Sequence, residues 1–287
     1  MTAQIALVSP MEVKKHLNND ALYRIIDARP YSDYVAGHIP GAVWMSWEGW
    51  CEKAPARAGR TLAQAGYWGV LKESMTGSLR ESMRQAGLRD ERPVLVYADG
   101  PGSKGREGRI AWMLLYWGIS SVFLLNGGWS AWLEAGGSSD VTTPMPKSGQ
   151  FHIRVQEHRR VQLPQLRQDF QRNTLPLLID VRSRSEFAGH HYAYQPRMGR
   201  LPGAVHMPFI DLFDEAGCFV TKSVYLQQLP PQVKNADRCV AYCEVGVRSS
   251  LFALLHEVYT GQVIANFDGS VMEWALDRTL PMEYDAE

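Results

Sequence analysis

The stretch Arg238-Cys239-Val240-Ala241-Tyr242-Cys243-Glu244-Val245-Gly246-Val247-Arg248-Ser249-Ser250, continued by Leu251-Phe252-Ala253-Leu254-Leu255-His256-Glu257-Val258-Tyr259, changes its hydrophobic period within a few residues. Cys239–Tyr242 is a short apolar run and reads as a buried strand, whereas the Leu- and Phe-rich segment after Ser250 has the spacing of a helix. One tight loop joins them. Gly246 allows that loop to turn through positive φ, and Ser249 or Ser250 is expected to cap the helix. Loop amides, the positive helix end and Arg248 then converge on Cys243, and all three favour a thiolate over a thiol. Cys243 is therefore a candidate nucleophile, provided that its sulfur reaches solvent and the amides face it. The alternative is a small hydrophobe packed at a strand end, and that reading is taken for Cys239, inside the strand.

Outward from this loop, the two halves of the chain echo each other. Ile26-Asp27-Ala28-Arg29 returns as Ile179-Asp180-Val181-Arg182, and Pro40-Gly41-Ala42-Val43 as Pro202-Gly203-Ala204-Val205. Leu125-Asn126-Gly127-Gly128-Trp129 returns as Phe267-Asp268-Gly269-Ser270-Val271. Matches kept in the same order imply a duplicated domain. Strand-like runs at Tyr23–Asp27, Val94–Tyr97, Val122–Leu125 and Leu177–Asp180 alternate with helical patterns at Leu79–Gln85, Gly108–Tyr116 and Leu163–Phe170, and Ser9-Pro10 starts a helix. The alternation predicts α/β domains, each a central, mostly parallel sheet with helices on both faces. The polar, Pro-containing segment 138–150 reads as a linker, which places domains at 1–137 and 151–287.

The copies differ where chemistry is implied. The run Val94–Tyr97 leads into Ala98-Asp99, so the first copy carries no thiol at this place. Trp44, Trp47, Trp50, Tyr67 and Trp68, with Cys51 nearby, read as packing aromatics, and the longer first copy has residues to spare for covering a cleft. The second copy takes 23 residues from Asp180 to Gly203, against 14 from Asp27 to Gly41. The additional loop carries His190, His191, Arg197 and Arg200.

With 30 basic and 30 acidic residues among 287, bulk charge implies neither a nucleic-acid nor an anionic-membrane partner. The four cysteines form no C-x-x-C pair, so neither a disulfide framework nor a metal site is expected. The apolar run near the N-terminus is short for a signal peptide and no stretch reaches transmembrane length, from which a cytoplasmic setting is expected.

The loop Cys-Glu-Val-Gly-Val-Arg-Ser after a strand, together with the duplicated landmarks, resembles the rhodaneses, sulfurtransferases that carry sulfane sulfur as a cysteine persulfide. Four residues separate Cys243 from Arg248; the similar cradle of phosphatases and arsenate reductases has one more, so phosphatase is the minority reading. The resemblance implies two rhodanese-like domains, the first inert. It implies Cys243 as catalytic residue, with Glu244, Val245, Gly246, Val247, Arg248 and Ser249 around the donor and no cofactor. By position it implies Arg197 as a contact to the anionic donor and Asp180 and Arg182 as a structural pair near the site, while Asp268, in the Asp-Gly-Ser turn before the last helix, reads as a cap that also lines the cleft. Thiosulfate is the expected donor and cyanide or a thiol the acceptor, a sulfur-carrier protein being a further candidate partner. Two residues depart from the pattern: Glu244 follows the cysteine where thiosulfate enzymes carry basic residues, and Glu186 stands where many members carry Arg. Mercaptopyruvate enzymes usually show Gly-Ser after the cysteine, which this chain lacks. A protein-binding or sulfur-relay module with little small-donor activity is the alternative from a different class.

Overall fold

The computed structural model describes residues 4–17, 22–72, 76–190 and 194–285. Two five-stranded sheets form, every strand pairing within them parallel. The first comprises β1 (Gln4–Val8), β2 (Arg24–Asp27), β3 (Val43–Trp44), β4 (Val94–Tyr97) and β5 (Ser121–Leu125), in the order β1-β5-β4-β2-β3. The second comprises β6 (Arg160–Val161), β7 (Leu177–Asp180), β8 (Val205–His206), β9 (Cys239–Tyr242) and β10 (Ala265–Phe267), in the order β6-β10-β9-β7-β8. The order repeats strand for strand, as the duplicated motifs require. The central strands are apolar throughout because helices cover both faces of a parallel sheet: Val94, Leu95, Val96 and Tyr97 are fully buried, as are Val240, Ala241 and Tyr242.

Each copy also repeats a polar core. Asp27 accepts from the Arg29 guanidinium at 2.6 Å and from the Tyr97 hydroxyl at 2.6 Å. Asp180 accepts from Arg182 at 2.6 Å. Both pairs lie at the carboxyl end of a central strand and fix the turn that follows, since each Asp also accepts the Arg backbone N–H at 2.9 Å.

The chain separates into two compact units that do not follow the linear boundaries. The first is residues 1–47, 73–156 and 213–219; the second is 48–72, 157–212 and 220–287. The expected linker is pinned along the first unit: the Gly149 N–H donates to Arg84 O at 2.8 Å and the Asp140 N–H to His38 O at 2.9 Å. Phe151 to Gln156 stays there too, through the Arg154 N–H to Trp117 O at 2.9 Å and the Gln156 N–H to Tyr116 O at 2.7 Å. The segment Glu48–Lys72 belongs instead to the second unit.

Ala98 is the counterpart of Cys243. The Trp129 N–H donates to Ala98 O at 2.8 Å, as the Val271 N–H donates to Cys243 O at 3.2 Å. Beyond Ala98 the first unit buries Glu107, 3% exposed, which accepts from the Ser103 hydroxyl at 2.5 Å. Burial outweighs that hydrogen bond and raises its pKa to about 7. A carboxyl whose pKa rises on folding contributes stability below its unfolded value that is lost as pH climbs through the folded one. Stability is therefore expected to fall between about pH 4.5 and 7 by on the order of 3 kcal/mol from this group. Glu107→Gln should flatten that slope in urea titrations at several pH values; an unchanged slope would place the effect elsewhere.

Candidate active site

Cys243 follows β9 directly and begins the loop that ends at the helix Val247–Thr260. Gly246 is the N-cap of that helix with φ +77°, and a Cβ there would fall 2.5 Å from Asp268 O, so both conformation and space demand glycine. The serine cap expected from sequence is not formed. Ser249 and Ser250 lie inside the first turn with their hydroxyls engaged elsewhere: Ser250 donates to Gly246 O at 2.6 Å, and Ser249 to Asn266 Oδ1 at 2.6 Å. The Asn266 amide donates in turn to Gly246 O at 3.1 Å and Ser250 Oγ at 2.9 Å. This buried network holds the loop's shape from the sheet side. Ser249 Oγ also lies 3.5 Å from Cys243 Sγ.

The Cys243 N–H donates to Ser270 Oγ at 3.0 Å, and the Ser270 hydroxyl donates to Phe267 O at 2.8 Å. Ser270 is fully buried and adopts φ +51°. Its counterpart Gly128 has φ +60°, and a Cβ there would fall 2.2 Å from Ala98 O. Positive φ at a non-glycine residue is costly, and here the side chain that requires it orients the cysteine backbone. Ser270 and Asn266 were not legible as site residues, although a serine aligned with a glycine of the other copy was a signal for the first.

Among the described residues, the N–H groups of Glu244, Val245, Arg248 and Ser249 have no protein acceptor. These are the orphan donors expected at and before a helix N-terminus. Val245 and Val247 are buried beside them, 6% and 7% exposed. Arg248 makes a two-pronged ion pair with Glu186, at 2.8 and 2.7 Å, and lies 3.6 Å from Glu244. Burial works against its charge, but the Glu186 hydrogen bonds, followed by Cys243 and the two carboxylates, hold its pKa above the ordinary arginine value. Glu186 is itself fixed at the start of the helix Arg184–Ala188, where it and Ser183 form a capping box.

Two expected roles are corrected. Arg197 does not meet the loop. Its guanidinium donates to the carbonyls of Trp274, Ala275, Asp277 and Leu280, at 3.3, 2.9, 2.8 and 2.7 Å. Those of Trp274, Ala275 and Asp277 end the helix Ser270–Leu276, whose opposite end meets Cys243, and Leu280 lies just beyond it. Orphan carbonyls at a helix C-terminus attract a cation, so Arg197 is a clamp about 10 Å along the helix from the thiol. Asp268 is not a cap. It pairs with Arg160 at 2.9 Å and accepts the Leu71 N–H at 2.8 Å. Asp180 and Arg182 form their ion pair behind the loop. In the additional loop His190 is exposed and lies 3.1 Å from Ser185 Oγ, Arg200 pairs with Asp285 at 2.8 Å, and His191 lies outside the described residues.

The condition set on the candidate nucleophile, that its sulfur reach solvent, is not met in this structure. Cys243 is 1% exposed. The segment Gly69–Leu71 lies against its loop: a Cβ on Gly69 would fall 1.8 Å from Val245 O, while Leu71 is tied to Asp268 and accepts from Arg160 at 3.2 Å. Reaching Cys243 therefore requires its surroundings to shift, and this segment packs on the loop that Cys243 begins. Gly69→Ala should displace it and speed alkylation of Cys243 by iodoacetamide, roughly tenfold when read by peptide mass spectrometry, because a backbone carbonyl yields less readily than a side-chain tip. An unaltered rate would show that the thiol is reached by another path.

A duplicated parallel α/β fold with one thiol-bearing loop running into a helix N-terminus defines the class of this protein. The chain belongs to the rhodanese-like domain family, whose model matches residues 9–135 and 163–277. It is 28% identical over 261 residues to a thiosulfate sulfurtransferase of Corynebacterium glutamicum, covering 87% of this chain and 81% of that protein. It is 25% identical over 286 residues to the sulfur carrier protein TtuD of Thermus thermophilus, covering 93% of each. In fold it is similar to SseA from Escherichia coli, whose structure is described for 3-mercaptopyruvate sulfotransferases. The TM-score is 0.71 at 20% identity, over 92% of this chain and 98% of that one. No helix among the described residues is long and apolar enough to cross a membrane.

Proposed function

We propose that this protein is a sulfurtransferase in which Cys243 takes sulfane sulfur from a small donor and passes it to a thiophilic acceptor. The Cys243 thiolate attacks the outer sulfur of the donor. The bond between the two donor sulfurs breaks, its electron pair leaves on the oxidised sulfur, and a persulfide remains on the enzyme. With thiosulfate, the donor carried by the name of the Corynebacterium relative, the leaving group is sulfite. A thiol, cyanide or the thiol of a sulfur-carrier protein then attacks the terminal persulfide sulfur and restores the thiolate. This is covalent catalysis by double displacement, with ping-pong kinetics.

The observation that carries the reading is the set of unclaimed backbone N–H groups following a cysteine at a helix N-terminus. They suit a developing negative charge on sulfur in the way an oxyanion hole suits one on oxygen. Glu244, Val245, Gly246, Val247, Arg248 and Ser249 form the proposed cradle. Mass spectrometry after incubation with thiosulfate tests the reading: about 32 Da, one sulfur atom, should be added at Cys243 and removed by cyanide. A protein that gains no such adduct from any sulfane-sulfur donor is not a sulfurtransferase of this kind.

A further inference from the structure

At the far end of the helix Ser270–Leu276 from Cys243, the second unit holds a cavity of about 640 Å³ in which no residue of the proposed cradle takes part. Arg57 lines it from the 48–72 segment, Arg167 from the helix Leu163–Gln171, Tyr194 and Pro196 from the additional loop, and Asp277 and Arg278 from the turn that ends the Ser270–Leu276 helix. Its charge is one-sided. Three guanidiniums stand against one lining carboxylate, an excess of two positive charges in a chain whose acidic and basic residues balance. Asp277 is already engaged, paired with Arg167 and accepting the Thr279 N–H at 3.0 Å and the Thr279 hydroxyl at 2.7 Å. Arg57 and Arg278 are exposed and have no acceptor among the described residues. Arg197, beside Pro196 in sequence, stands below the ordinary arginine pKa, chiefly through burial and, with Asp277 opposing, through Arg278. One exposed arginine is ordinary, but several drawn around one hollow repel each other until an anion takes up their charge.

We propose that this cavity is a second binding site, separate from Cys243, for a small anion of the phosphate type carrying two or more negative charges, gripped by Arg57, Arg167 and Arg278. The inference stands apart from the sulfur-transfer reading, since neither the thiol nor its loop takes part. Guanidiniums that arrive from three segments offer their planar forks from different sides, which suits the tetrahedral oxygens of a phosphate better than the flat pair of a carboxylate. Tyr194, whose ring meets that of Tyr67 edge-on at 5.1 Å between centroids, and Pro196 supply a stiff wall beside them.

Titration calorimetry on the whole protein tests this, with inorganic pyrophosphate as the probe and ionic strength held constant. Saturable binding at a single site is expected. Arg57→Gln and Arg278→Gln should each weaken it by roughly tenfold, the loss that goes with one hydrogen bond to a charged group. Both side chains are exposed, so the variants should melt like the wild type. Lys234→Gln removes an exposed cation that does not line the cavity and should leave the affinity within about twofold. Citrate, which has a similar charge near neutral pH but only carboxylates, should bind more weakly. Absence of saturable binding at millimolar pyrophosphate overturns the proposal, and that measurement needs no variant. So does an equal loss of affinity in Lys234→Gln and the two arginine variants, which would mark diffuse surface charge in place of a site. Citrate binding as tightly as pyrophosphate would overturn the assignment to phosphate.

Discussion

Cys243→Ser is expected to lower sulfur transfer to cyanide by roughly a thousandfold or more, because it removes the atom that forms the covalent intermediate while nearly preserving shape. The hydroxyl can keep the place of the sulfur beside Ser249, and the Cys243 backbone contacts to Ser270 and Val271 do not depend on the side chain. The variant should therefore fold and melt like the wild type. Thiocyanate formation and the persulfide mass are the measurements. A variant with the wild-type rate would move the chemistry to another thiol. The remaining cysteines are poorer candidates: burial pushes the Cys218 and Cys239 thiols up, away from the thiolate, and Cys51 is buried away from any strand-to-helix loop.

The second large effect concerns the pair behind the loop. Asp180 is fully buried and Arg182 is 1% exposed, and the guanidinium also donates to Gly199 O at 2.9 Å. Asp180→Asn would leave a buried guanidinium without a counter-charge, which costs about 3–5 kcal/mol. For a chain of this size that corresponds to a fall in melting temperature of roughly 10 °C. Activity should fall with it, because the turn that Asp180 closes leads straight to Ser183 and Glu186, and Glu186 holds Arg248. A variant that melts within a degree or two of the wild type would show that the pair is readily replaced by other contacts.

The legible and the illegible parts of the site differ in kind. Cys243, Gly246 and Arg248 could be read locally, because a strand, a glycine and a helix within a dozen residues leave little freedom for the turn between them. Ser270 and Asn266 could not, since their role depends on β10 lying beside β9. Arg197 was misplaced by a related logic: a position in a loop does not say which of several polar partners wins, and the carbonyls ending the Ser270–Leu276 helix did. Glu186 was legible only as a departure from the family pattern, and its pairing with Arg248 was decided by packing.

Taken alone, the sequence determined the duplication, the parallel α/β class of each copy and the location of the loop by which Cys243 leads from a strand into a helix. Periodicity, turn glycines and repeated motifs act over short range and survive any arrangement of the rest. Only the tertiary structure decided that residues 48–72 join the second unit, that Gly69–Leu71 packs against the loop begun by Cys243, and that Arg248 pairs with Glu186. The physical reason is that charge pairing and burial are settled by which groups approach within a few ångströms, and residues from 62 to 197 positions apart do so here.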